Sequence, residues 1–463
     1  MKRSFLFITI VMMFLTACGL GKPMVFPSDA PSSSPTSLPN PTVIPTAQPD
    51  MLYVDPTREL GPISPYVYGS NYGPWTAVPV GMMDQALNSR ISALRFPGGS
   101  WGDHNDVQEF QIDMFMAFCK QVGAMPTFTV RLLGGTPEAA AEMVRYTNIE
   151  KKYGVVYWAI GNEPDLYYKL AASSDYDTVR YNQEWRAFAK AMRVVDPSIK
   201  LIGPEISNFT GIPNHAFHAL DIHGKDWMSE FLKSNGDMVD VVSFHRYPFP
   251  KVEYSSVQAT VDELRQDAQI WVQAVRELRK LIQDTTGRDI PIAITEANSA
   301  STNVIQGEAT PDSFYNAIWW ADVLGGLINE NVLMVNYWVL TTASGETQSG
   351  LGLIALGKVR PTYYVYQMYG GFGTERVYAA SGIKDVSVYA AKRADGSVTI
   401  MVINLMDSEQ RVPLQVRGMA LSKAETWLFD KAHEAEGLGE LSFPSAGRLD
   451  LSAQSISLYE LAK

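Results

Sequence analysis

Between Ile63 and Phe372, short β-type runs alternate with stretches whose apolar residues recur at helical spacing. The β-type runs are Val67–Gly69, Ala93–Phe96, Pro126–Leu132, Val155–Ile160, Lys200–Gly203, Val239–Phe244, Ile290–Thr295 and Leu333–Val339. Among the helical stretches, Phe110, Met114, Phe115, Phe118, Cys119 and Val122 read as one apolar face. Thr136 followed by Pro137 reads as a helix cap with a first-turn proline. A third helix, from about Thr178 to Val195, offers Tyr181, Trp185, Phe188 and Met192. The stretches Val257–Asp284 and Ser313–Asn329 supply two more.

Eight strands alternating with helices over roughly 300 residues predict an α/β fold of the (β/α)8 barrel type, which typically takes about 250 residues. The competing doubly wound sheet usually carries a glycine-rich phosphate turn after its first strand. Here the only glycine doublet near the front is Pro97-Gly98-Gly99, with no helix expected directly behind it. After Phe372 the pattern changes to short β-rich runs, Val386–Lys392, Val398–Asn404 and Ala424–Phe429, with a hairpin signal at Asp395-Gly396. The expected organisation is a barrel over 51–372 and an appended β-sandwich over 373–463. Met51–Ile63 reads as a strand that is a candidate to cross over and pair with that sandwich. No internal repeats are visible.

The 463 residues, 46% hydrophobic and 19% charged, are ample for a large core and argue against disorder. A formal charge of −11 without a basic stripe disfavours a nucleic-acid partner. The six histidines show no paired spacing and there is no clustered Cys or His-Glu-x-x-His, so no metal and no other cofactor is expected. Lys2 and Arg3 precede an apolar run, Phe5–Leu15, too short to span a bilayer. Residues 1–18 therefore read as a signal peptide, and 19–50, rich in Pro, Ser and Thr, as an extended tether. Ending in Leu15-Thr16-Ala17-Cys18, the signal resembles that of bacterial lipoproteins. That resemblance implies lipidation at Cys18, a membrane anchor and an extracytoplasmic, cell-envelope location. With Cys18 consumed, Cys119 is left without a disulfide partner and reads as a buried thiol.

Two carboxyls stand out. Glu163 lies in Trp158-Ala159-Ile160-Gly161-Asn162-Glu163-Pro164 and Glu296 in Ile292-Ala293-Ile294-Thr295-Glu296-Ala297-Asn298. On the strand count they end the fourth and seventh strands, the end of a barrel where active sites sit. Two carboxyls presented this way suit cleavage of a glycosidic bond, one protonating the leaving oxygen and the other stabilising or attacking the sugar carbon. The 10 Trp and 22 Tyr suit a carbohydrate substrate, although packing accounts for most of them.

Gly161-Asn162-Glu163-Pro164 on the fourth strand and Thr295-Glu296 on the seventh resemble the retaining glycoside hydrolases of clan A. The resemblance covers the whole body, from about Met51 to Lys463. Leu94-Arg95-Phe96-Pro97-Gly98-Gly99, Trp185-Arg186-Ala187-Phe188, Asp196-Pro197 and the terminal sandwich lean toward the β-xylosidase, α-L-arabinofuranosidase and heparanase-like branches. It implies hydrolysis of xyloside, arabinoside or glucuronide bonds by double displacement, with Glu163 as general acid/base and Glu296 as nucleophile. Asn162 would face the sugar 2-hydroxyl. Arg95 would donate to Glu296, or form a structural ion pair. His245 or Tyr247, ending the sixth strand, would hydrogen-bond the nucleophile. Trp338 would form the floor under the sugar, and Trp101, Asn105 and Glu205 are further candidates. A non-catalytic carbohydrate-binding surface module and a transglycosylase on the same two carboxyls stay open, as do the protein partners.

Overall fold

The computed structural model describes residues 48–461 apart from 171–172, 213–214, 216–217, 250–258, 343–348, 420–422 and 444–446. Cys18, the signal segment and nearly all of the tether lie outside the described residues. The first strand, β1 (Leu52–Pro62), runs directly into a closed barrel of eight parallel strands. These are β2 (Tyr66–Asn71), β3 (Ala93–Phe96), β4 (Met125–Val130), β5 (Tyr157–Ile160), β6 (Lys200–Ile206), β7 (Val241–Arg246), β8 (Ile292–Ala297) and β9 (Met334–Tyr337). Their order is sequential, and β2 closes the ring by pairing with β9. Alternation along the strands divides the core. Ala159, Ile202, Val241, Ala293 and Met334, one from each of β5 to β9, form their own cluster. Their neighbours Trp158, Leu201, Val242, Ile294 and Val335 belong to the larger core shared with the helices.

The helices follow from local chemistry. Thr136 Oγ1 accepts the Ala139 amide at 3.1 Å, with Pro137 in the first turn. Helix Thr178–Val195 buries Tyr181, Trp185, Phe188 and Met192 together. Thr260 caps helix Val261–Thr286, and Ser313 caps Phe314–Asn329. Two local expectations fail. Helix Glu109–Val122 buries Ile112, Phe115, Phe118 and Cys119, while Phe110 and Met114 are 61% and 67% exposed. At about 100° per residue, positions 110 and 114 fall more than a quarter-turn from the buried face, so the spacing merged two stripes. A single helical turn, Trp101–His104, also follows the Pro97-Gly98-Gly99 segment directly.

A small hairpin, β10 (Ile354–Ala355) and β11 (Lys358–Val359), precedes helix Pro361–Gly370. Then come β12 (Glu375–Ser381), β13 (Val386–Lys392), β14 (Val398–Asn404), β15 (Gln410–Val416), β16 (Lys423–Phe429), β17 (Glu436–Ser442), β18 (Arg448–Leu451) and β19 (Ser455–Leu461). With β1 they make a nine-stranded sheet ordered β17-β16-β19-β14-β13-β12-β1-β15-β18. Its β15-β18 end shares one apolar core with the middle of the sheet, Val412, Leu414, Leu449 and Leu451 clustering with Val388, Ile400 and Val402, so the sheet folds over on itself as a sandwich. β1 pairs antiparallel with β12 and parallel with β15. The opposite face of the sheet rests on the barrel: Met401, Ile403 and Leu458 join the main core, and the Tyr389 hydroxyl donates to Asp322 at 2.7 Å. Among the described residues, no helix is long and apolar enough to cross a membrane.

Candidate active site

The strand ends of the barrel converge on Arg95, the third residue of β3, which is 1% exposed. One guanidinium nitrogen, Nη1, donates to Glu296 Oε1 at 2.9 Å and to Asn71 Oδ1 at 3.1 Å. The other, Nη2, donates to Asn162 Oδ1 at 2.8 Å and to Glu205 Oε2 at 2.7 Å. Burial works against the Arg95 charge, yet Glu205 and Glu296 outweigh it and hold the guanidinium more firmly protonated than usual.

Glu296, in β8, is buried among donors. Oε1 also accepts the Gly99 amide at 3.0 Å, and Oε2 accepts the Tyr247 hydroxyl at 2.7 Å. Burial and the nearby Glu296 push the Tyr247 phenol far up, so it stays a donor. Gly99 has φ +65, and a Cβ there would stand 2.5 Å from the Trp338 ring. A residue with no side chain is therefore what lets the amide reach Glu296 beneath Trp338.

Glu163 is held differently. It follows β5 by three residues, in the left-handed region at φ 48 and ψ 53, and its side chain is 21% exposed. Its amide donates to the Glu205 carbonyl at 2.9 Å, and its Oε1 lies 3.0 Å from His245 Nδ1. His245, fully buried, has Nε2 3.5 Å from Glu205 and Nδ1 3.6 Å from Glu296. Burial alone would lower the imidazole, but the surrounding carboxylates, Glu296 foremost, raise it to about 10. Burial would likewise raise Glu205, but Arg95 and His245 bring it down to about 2. Thr295 donates to its other oxygen at 2.7 Å. Both oxygens of Glu205 are thus occupied by buried partners.

One oxygen of Glu163, one of Glu296 and a ring nitrogen of His245 all lie within 4.8 Å of one another. Two carboxylates and a histidine could in principle ligate a metal. This imidazole faces carboxylates with both nitrogens, and they raise it, which favours its charged, donor form. The cluster thus sets three carboxyls, Glu163, Glu205 and Glu296, against two basic side chains, Arg95 and His245.

Arg95, Asn162, Glu205, His245 and Tyr247 therefore stand in one hydrogen-bonded group with Glu163 and Glu296. Trp338 follows β9, half-buried, over Gly98 and Gly99. Trp101 is also half-buried and packs on Trp75 at 6.3 Å between ring centroids, and Trp75 stacks on Trp338 at 6.0 Å. Asn105 is exposed and donates to the Trp101 carbonyl at 3.0 Å, so its side chain is outside the group around the glutamates. Sequence reasoning missed Asn71, the Gly99 amide and Thr295. Asn71 is the polar last residue of β2, a signal that was present. The Gly99 amide left none, because its role comes from backbone direction.

The sequence model for the glycosyl hydrolases family 39 matches residues 143–414, more than half of the chain. The chain belongs to that family. The matched stretch carries both glutamate motifs, and the clan A resemblance holds at the level of family. Among curated relatives, this family 39 chain is 23% identical over 237 residues to a probable α-L-arabinofuranosidase C of Aspergillus fumigatus, covering 42% of the chain and 46% of that relative. It is 27% identical over 196 residues to an intracellular exo-α-(1→5)-L-arabinofuranosidase of Bacillus subtilis, covering 34% of the chain and 37% of that protein. The chain therefore matches about half or less of the length of these relatives. The α-L-arabinofuranosidase from Thermotoga maritima superposes with a TM-score of 0.69 at 18% identity, over 89% of this chain and 99% of that one. A Paenibacillus polymyxa xyloglucanase does so with a TM-score of 0.67 at 15% identity, over 89% and 99%. Both share the fold of the family 39 chain.

Proposed function

We propose that the protein is a retaining O-glycoside hydrolase, with Glu296 as nucleophile and Glu163 as general acid/base. The observation that carries this reading is the approach of the two carboxyls, within 4.8 Å, in unlike surroundings. Retaining pairs stand about 5 Å apart, and inverting pairs are wider because a water must fit beneath the sugar. Glu296 accepts from Arg95, Gly99 and Tyr247, which fix both of its oxygens and aim them. Glu163, the most exposed of the three carboxyls, is assigned the role of proton donor. It gives its proton to the leaving oxygen as Glu296 attacks the sugar carbon. With Glu296 esterified, one negative charge is gone, and Glu163 takes a proton from the water that releases the sugar. The Asn162 amide nitrogen is buried and lacks a partner, which suits a donor to the sugar 2-hydroxyl. Trp338 offers a flat apolar floor.

For the substrate we favour an arabinoside, since the curated relatives are named arabinofuranosidases, with xylosides and glucuronides as the competing classes. The Leu15-Thr16-Ala17-Cys18 sequence supports display as a lipoprotein outside the cytoplasmic membrane. Incorporation of labelled fatty acid, lost in Cys18→Ser, checks that part. The reaction is tested on a panel of aryl arabinofuranosides, xylosides and glucuronides, with the first-formed anomer followed by NMR. Release of aryl group with retained configuration is the expected result. An inverted first product, or no release across the panel, would overturn the reading.

A further inference from the structure

A non-glycine residue in the left-handed region costs about 1–2 kcal/mol and persists only where its surroundings over-determine it. Glu163 is such a residue, preceded by Gly161 at φ +79 and Asn162. Its surroundings include Asp103, a 2% exposed carboxylate on the single-turn helix Trp101–His104. Asp103 Oδ2 accepts the Asn162 amide at 2.9 Å and the Tyr167 hydroxyl at 2.6 Å. Its Oδ1 accepts the amides of Leu132 at 3.2 Å and Leu133 at 3.4 Å, just past the end of β4. Its carboxylate forms no ion pair among the described residues, while Arg131 Nε donates to its main-chain carbonyl at 3.1 Å. Four donors from two neighbouring loops are what this buried carboxylate binds, and one of them belongs to the residue immediately before Glu163.

The same helix grows out of the segment that serves Glu296. Gly99 donates its amide to Glu296 at 3.0 Å, and its carbonyl accepts the Gly102 amide. Asp103 thus joins the loop that touches one glutamate to the turn that carries the other. We infer that Asp103, with Tyr167, is a positioning residue that fixes the Asn162-Glu163 turn relative to Glu296, so that the acid reaches the leaving oxygen. This rests on the reading of Glu163 as the acid.

Asp103→Asn keeps the shape. With its nitrogen towards Leu132 and Leu133 both of their hydrogen bonds are lost; turned the other way, the Asn162 amide loses its acceptor on residue 103, while the Tyr167 hydroxyl can rotate to accept. Tyr167→Phe removes one hydroxyl alone and is the milder variant. Both are compared with Glu163→Gln and the unmodified protein on two glycosides of one sugar, with good and poor leaving groups, after equal thermal midpoints or an intact fold by circular dichroism are verified. A misplaced acid costs most where protonation is needed. The expected result is a fall in kcat of about 10²-fold on the poor leaving group in Asp103→Asn. Tyr167→Phe should show a smaller fall of the same kind, with KM little changed and the good leaving group affected less than about tenfold. Equal losses on both substrates, or none on either, would overturn the positioning role, and so would a normal leaving-group response in a folded Tyr167→Phe. Glu163→Gln separates the two claims. If it lacks leaving-group dependence, the assignment of the acid fails. If it has that dependence and the Asp103 and Tyr167 variants do not, only the positioning role fails.

Discussion

The two glutamates of this barrel have the same side chain and opposite surroundings. Glu296 sits inside a strand, is nearly buried, and has three hydrogen-bond donors fixed on its two oxygens. Glu163 sits beyond its strand on a strained turn, is partly open, and among the described residues meets a single side-chain partner, His245. Crowding with donors holds a carboxyl in one orientation. Openness with one neighbour makes a carboxyl that can exchange a proton with solvent or a leaving group. The division of labour proposed for these chemically identical residues rests on the elements around them, and each part of that environment can be removed separately.

The largest effect is expected at Arg95, which serves both Glu296 and Glu205 from a site 1% exposed. Arg95→Met removes the guanidinium from two buried carboxylates, leaving them His245 alone, and should cost about 3–5 kcal/mol in urea unfolding, together with activity. A loss below 1 kcal/mol would mean that Arg95 does not hold the site together. Next comes His245. Its folded pKa of about 10 stands above the ordinary 6.5, so its contribution to stability is complete below about pH 6.5 and is lost as pH rises toward 10. The difference in unfolding free energy between the unmodified protein and His245→Gln should shrink over that window. A difference that is flat or grows with pH would contradict a buried imidazolium.

Tyr247→Phe removes one hydrogen bond to a charged group, worth about 1.5–3 kcal/mol. The loss should appear equally with good and poor leaving groups, because it acts on Glu296, in contrast to changes around Glu163. A leaving-group bias in this variant would blur the division between the two glutamates. The smallest effect is expected for Gly99→Ala. The new Cβ meets the Trp338 ring at 2.5 Å from a φ of +65, a strain of about 1–2 kcal/mol that should weaken substrate binding more than it lowers stability. Unchanged KM with normal stability would show that Trp338 and the Gly99 amide do not depend on each other.

Much of this was legible in the sequence, and the reasons differ by element. The eight barrel strands stand out because strands covered by helices are continuous apolar runs. Glu163, Glu296, Arg95, His245 and Tyr247 are legible because a barrel gathers the polar residues at its strand ends. Asp103 was not, since its importance comes from four donors on two loops that only the fold brings together. Glu205 was underrated for a similar reason: its burial by Arg95, His245 and Thr295 depends on three other strands. Phe110 and Met114 misled because helical spacing reports a stripe without saying which stripe meets the barrel.

The central claim, that Glu296 attacks and Glu163 moves the proton, is tested most directly by azide rescue on an activated aryl glycoside. In Glu296→Ala, azide takes the vacated place of the nucleophile, and the glycosyl azide should have inverted configuration. In Glu163→Ala, the glycosyl-enzyme still forms on Glu296, and azide should capture it from the opposite face with net retention. Both products are read by NMR of the anomeric proton. Inverted azide from the first variant and retained azide from the second is the predicted result. The reverse pairing, the same anomer from both, or turnover unaffected by either substitution would contradict it.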